Sequence, residues 1–81
     1  MEDSQKPELK LAISSPNNLK FVRESLGIRM TELVKGSGVS RVTISDIEKG
    51  KRTGNTVTRY KLLNALNLIS GKDYDLKNLF P

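Results

Sequence analysis

Apolar residues recur at helical spacing in four stretches of this chain, with turn-forming residues between them. Leu19, Val22 and Leu26 fall on one side of a segment over about residues 17–25, with Lys20 and Glu24 on the other, and Gly27 closes it. Ser15 is suited to cap this helix and Pro16 to occupy its first position. A second helix is expected over about residues 30–35, with Leu33 and Val34 inward, Glu32 outward and Ile28 anchoring the link before it. Gly36, Ser37 and Gly38 then allow a sharp turn. In the third segment Ile44 and Ile47 lie three apart and, with Val39 just ahead, form a stripe that can lie on a core. Ser40 is a good N-cap for this helix and Gly50 a plausible stop. A fourth helix is expected over about residues 57–66, capped by Asn55 or Thr56, with Tyr60, Leu62, Leu63 and Leu66 as its apolar face. Residues 67–72 read as a loop. Asp73 or Asp75 then opens a short last helix or turn carrying Tyr74, Leu76, Leu79 and Phe80.

These segments predict an all-α domain of four to five short helices over residues 17–81. Its core is sufficient only if it is well packed, because the chain has 81 residues. Residues 1–16 read as an N-terminal arm. Met1 to Pro7 is polar, whereas Leu9, Leu11 and Ile13 alternate with Lys10 and Ala12 in a strand-like pattern. That segment either packs on its own domain, pairs with its copy in a dimer, or is a partly ordered tail. The apolar end, Leu76, Leu79 and Phe80 above all, must cover the core or face a partner chain.

Charge sharpens the picture. The net charge is +5, and between Arg41 and Lys61 six cations (Arg41, Lys49, Lys51, Arg52, Arg59 and Lys61) face two acids, Asp46 and Glu48. Such a run is either a solvated face or a nucleic-acid footprint. The chain has no cysteine and no histidine. Disulfides, thiolate nucleophiles, imidazole bases and the usual zinc sites are therefore excluded. No phosphate loop or activated nucleophile appears either, so an enzyme is not expected, nor a cofactor. The N-terminus does not resemble a signal peptide and no stretch approaches membrane-spanning length, so a cytoplasmic location with no membrane partner is the expectation.

The third helix has a second face. Arg41, Val42, Ser45, Asp46 and Lys49 fall opposite the Ile44 and Ile47 stripe, so that donors, an acceptor and a small apolar group stand together. Helix, glycine-containing turn, helix is the organisation of a helix-turn-helix reader. In order, Leu-Lys-Phe-Val-Arg at 19–23, Glu-Leu-Val at 32–34, Gly-Val-Ser at 38–40, Ile-Ser-Asp-Ile-Glu-Lys-Gly-Lys-Arg at 44–52 and Ala-Leu at 65–66 form a specific set. Over about residues 18–68 the chain resembles the Cro and phage-repressor, or XRE, family of helix-turn-helix proteins. The resemblance implies a lambda-repressor-like fold of four or five helices.

It also implies roles. Arg41 falls at a base-contacting position, where its planar fork can bind guanine O6 and N7; a phosphate contact is the alternative. Val42 can meet a thymine methyl, or else pack on the turn or the second helix. Asp46 can accept from cytosine N4 or adenine N6, or pair with Arg41 or Lys49. Thr43 and Ser45 can bond a phosphate, a base or their own helix backbone, with Ser45 placed among the base readers and Thr43 among the phosphate contacts. Lys49, Lys51, Arg52 and the backbone from Thr53 to Asn55 resemble the family's phosphate clamp, and Glu48 the acid that pairs with an arginine of the first helix, here Arg23. There are departures. Met30 stands where the family often has a phosphate-contacting Gln, Val34 where Ala is usual at the approach of the second and third helices, and Arg59 near a usually apolar position. Gly36 is expected to weaken the end of the second helix by up to about 1 kcal/mol relative to Ala.

The resulting expectation is a sequence-specific regulator of transcription, a repressor, that binds double-stranded DNA as a homodimer on an inverted repeat. The alternative is an antitoxin or adaptor that uses the same fold to bind a partner protein. RNA binding fits less well, because none of the four aromatics (Phe21, Tyr60, Tyr74 and Phe80) interleaves with the basic run.

Overall fold

The computed structural model describes residues 16–81. The five helices there are α1 (Leu19–Ser25), α2 (Met30–Ser37), α3 (Arg41–Lys49), α4 (Thr56–Ser70) and α5 (Leu76–Leu79). No strand occurs among the described residues. The strand-like reading of Leu9, Leu11 and Ile13 and the capping role of Ser15 lie outside them.

One core joins all five helices. Leu19, Leu33, Ile44, Ile47, Leu62, Leu66 and Leu79 are completely buried, with Val22, Ile28, Val39, Leu63 and Ala65 beside them. Leu26, Met30, Val34, Tyr74, Leu76 and Phe80 are half-buried against this cluster. The apolar tail thus covers its own core. Of the two destinations open to it, Leu79 takes the first: it is wholly enclosed in the core and does not face a partner chain.

Tertiary hydrogen bonds reset several boundaries. The first helix starts at Leu19 rather than residue 17, and Pro16 precedes it outside the helix. Asn17 accepts from the Leu19 N–H at 3.0 Å and donates from Nδ2 to the Ile47 carbonyl at 2.9 Å. The Asn18 N–H donates to the Leu79 carbonyl at 2.8 Å. Both asparagines tie the start of α1 to distant segments instead of extending it.

Gly36 and Ser37 belong to α2 rather than to the turn after it. The turn itself is made by Gly38, whose φ of 74° is in the left-handed region. A Cβ on Gly36 would lie 3.2 Å from Ile69 Cδ1 and 3.4 Å from Ala65 Cβ, so this glycine lets α2 lie close along α4. Ser37 Oγ donates to the Leu33 carbonyl at 2.6 Å and accepts from the Val39 N–H at 3.1 Å, fixing the exit toward α3.

α4 runs to Ser70, so residues 67–70 are helix and not loop. Ser70 Oγ bonds back to the Leu66 carbonyl, and Asn67 serves the next segment through its side chain. Asn67 accepts from the Tyr74 N–H at 2.8 Å and donates to the Tyr74 carbonyl at 3.0 Å. Tyr60, expected inward, is exposed, and Ala65 completes the buried face instead. Asn67→Ala is expected to cost about 1–3 kcal/mol, because it leaves two half-buried backbone groups of Tyr74 unpaired. Urea unfolding followed by far-UV circular dichroism measures it.

Candidate nucleic-acid interface

The third helix is fixed at both ends and along one side. Ser40 Oγ accepts from the Thr43 N–H at 3.2 Å and donates to Thr43 Oγ1 at 2.9 Å, so the Thr43 hydroxyl is part of the cap, with its own proton left to donate. Ile44 and Ile47 are sealed in the core. At the other end Gly50 takes a φ of 81°, and the N–H groups of Lys51 and Arg52 turn back to the Asp46 carbonyl at 2.8 and 3.4 Å. A further tie comes from α1. Arg23 Nε donates to Glu48 Oε2 at 2.8 Å, Nη2 approaches Glu48 Oε1 at 3.4 Å, and Nη1 donates to the Ile28 carbonyl at 3.0 Å. Both side chains of this pair are nearly buried, 10% and 5% exposed. One arginine therefore joins α1, the α1–α2 link and α3.

The opposite side of α3 is open. Arg41, Val42 and Lys49 are exposed, and Ser45 and Asp46 are half-buried at its edge. Val42 is 64% exposed, so it does not pack on the turn or on α2. Asp46 pairs with neither Arg41 nor Lys49. Its Oδ2 accepts from Arg52 Nε at 3.2 Å, because the left-handed Gly50 folds the chain back over the last turn of the helix. Asp46 thus has one oxygen committed, and Arg52 is held rather than loose.

Beyond Gly50 the exposed Lys51, Arg52 and Thr53 continue the positive surface. Asn55 is exposed too, but its Oδ1 accepts from the Thr58 N–H at 2.8 Å and so caps α4. Only its amide nitrogen is left for an outside acceptor. Arg59 was not assigned a role from the sequence. It donates from Nε to the Thr53 carbonyl at 3.1 Å, and its guanidinium carbon lies 5.2 Å from the centroid of the Phe80 ring. This explains a cation at a usually apolar position: the aromatic tail supplies its platform. The bend at Gly50 could have suggested the Asp46–Arg52 pair, whereas nothing local in the sequence places Phe80 under Arg59.

No grouping of His, Cys, Asp or Glu that could hold a metal occurs among the described residues, and no helix there is long and apolar enough to cross a membrane. The arrangement presents a rigid helix with polar, cationic and apolar groups outward, a shape and charge suited to a DNA groove and its flanking phosphates. No curated protein and no solved structure matches the chain. The model of the family described as Helix-turn-helix matches residues 19–71, which includes α1 to α4 and the whole of the α2–turn–α3 unit. The chain belongs to the Cro and phage-repressor type of helix-turn-helix proteins, the XRE family of DNA-binding regulators.

Proposed function

We propose that this protein is a sequence-specific repressor of transcription that lays α3 in the major groove and acts as a homodimer on an inverted repeat. The observation that carries the reading is the division of α3. Ile44 and Ile47 are fully enclosed while Arg41 and Val42 stand in solvent at the opposite side, so the helix is held by its apolar side with its polar and cationic groups outward. Arg41 is the candidate for guanine, Val42 for a thymine methyl, and Ser45 and the uncommitted oxygen of Asp46 for base edges. Thr43, Lys49, Lys51, Arg52 and Asn55 are the candidates for phosphate. One such helix reads only a few base pairs, and two of them about 34 Å apart on one face of a duplex supply the rest.

Selection from a random duplex library at near-physiological salt tests this. Enrichment of an inverted repeat with half-sites one helical turn apart is expected, and Arg41→Ala is expected to cost about 1–3 kcal/mol on the selected site while relaxing the preference at one base pair. Enrichment of no sequence would reject base reading.

A second reading, an antitoxin or adaptor, is favoured by one feature. Val57, Tyr60 and Leu68 are 62%, 47% and 83% exposed and fall on the outer face of α4, a surface for a second copy or another protein. The mass of the purified protein in solution and its DNA affinity without a partner separate the two.

A further inference from the structure

Two arginines beside the reading helix are anchored in the same manner. Arg52 is tied through Nε to Asp46 at 3.2 Å, and Arg59 through Nε to the Thr53 carbonyl at 3.1 Å, with its guanidinium carbon over the Phe80 ring. Among the described residues neither guanidinium uses its two terminal nitrogens in a hydrogen bond. Both side chains line one concavity of about 130 Å³ between Pro16, Gly50 and Phe80. That is the room of about four waters, which suits one tetrahedral oxyanion.

We propose that Arg52 and Arg59 together form a seat for a single phosphodiester of the DNA backbone, at the C-terminal end of α3. The proposal rests on the reading that α3 faces DNA. A guanidinium stays charged and offers paired donors to phosphate oxygens, and one already fixed through Nε loses little freedom when its terminal donors engage. Place and charge together point to the ligand: Arg52 and Arg59 outweigh Asp46 in charge and so favour an anion, and at the end of a groove-facing α3 that anion is a backbone phosphodiester. Asp46 is then a positioning residue for Arg52, and Phe80 for Arg59.

The test is the salt dependence of duplex binding by the full chain, for the unsubstituted protein, Arg52→Gln, Arg59→Gln and the double variant. Each neutralised phosphate contributes about 0.9 to the slope of log affinity against log salt. One phosphate is at stake, so the double variant is expected to lower the slope by about 0.9 in all, and each single variant by less, because the remaining arginine still faces that phosphate. Base preferences in the selected library stay unchanged in Arg59→Gln, whose side chain touches none of the base-reading candidates. A double variant that loses about twice as much would mean two independent contacts and would overturn the shared seat. An unchanged duplex affinity in Arg59→Gln, with a native circular dichroism spectrum, would also overturn it while leaving base reading by α3 intact. Absence of any duplex binding by the unsubstituted protein would overturn both readings. In a separate arm, inorganic phosphate is titrated without DNA while the Nε–H resonances of Arg52 and Arg59 are followed. Saturable shifts of both would overturn the assignment to a backbone phosphodiester in favour of a free-anion site.

Discussion

Replacing Glu48 with Ala is expected to remove about 3–5 kcal/mol of stability, the largest loss of any single charged residue in the described structure. The expectation follows from burial. With the Arg23 and Glu48 side chains only 10% and 5% exposed, deletion of the carboxylate leaves a nearly buried guanidinium whose nearest remaining acid is the exposed Glu24, 3.9 Å away. Arg23 would keep its bond to the Ile28 carbonyl, but that neutral acceptor does not balance its charge. A domain of this size holds on the order of 4–12 kcal/mol in total, so the variant stands near the limit of folding. Urea unfolding should show the midpoint falling by at least about 1 M. Replacing both partners with Met should be much milder, because no buried charge is then left alone. If Glu48→Ala and the double Met variant unfold at the same concentration, the cost lies in packing and not in charge.

The second large effect belongs to the tail. Leu79→Ala is expected to cost about 2–5 kcal/mol, since the side chain is fully enclosed and its removal opens a cavity in the core. The backbone around it is used as well: the Leu79 carbonyl accepts from the Asn18 N–H at 2.8 Å and the Asn78 carbonyl from Asn18 Nδ2 at 3.0 Å. The loss should be the same at low and high protein concentration, as befits a residue inside one chain. A destabilisation that vanished at high concentration would instead put Leu79 at an interface between chains.

These two variants probe opposite degrees of legibility. The pairing of Glu48 with Arg23 was an expectation carried by the family resemblance alone, and the geometry brings the two together at 2.8 Å. The destination of the tail was left open between core and partner, since an apolar run near a chain end has the same pattern whichever surface it covers. The reading of α3 stood on local chemistry. Ser40 and Gly50 mark its ends through hydrogen bonding and backbone conformation within a turn or so, so the helix occurs as expected at Arg41–Lys49. Residues 67–70 failed for a related reason. Asn67 and Ser70 have side chains that often end helices, yet here they bond the Tyr74 backbone and the Leu66 carbonyl from within one.

The sequence by itself determined the number and order of the helices and the two faces of α3, because apolar period, caps and glycine stops act over a few residues and need no knowledge of the rest of the chain. Only the tertiary structure decided that Gly36 is a contact point rather than a turn, that Asp46 holds Arg52, that Arg59 rests on Phe80 and that Leu79 closes the core. Each of these depends on how close two separate segments come and on what they exclude from water. Spacing along the chain does not encode that distance; packing does.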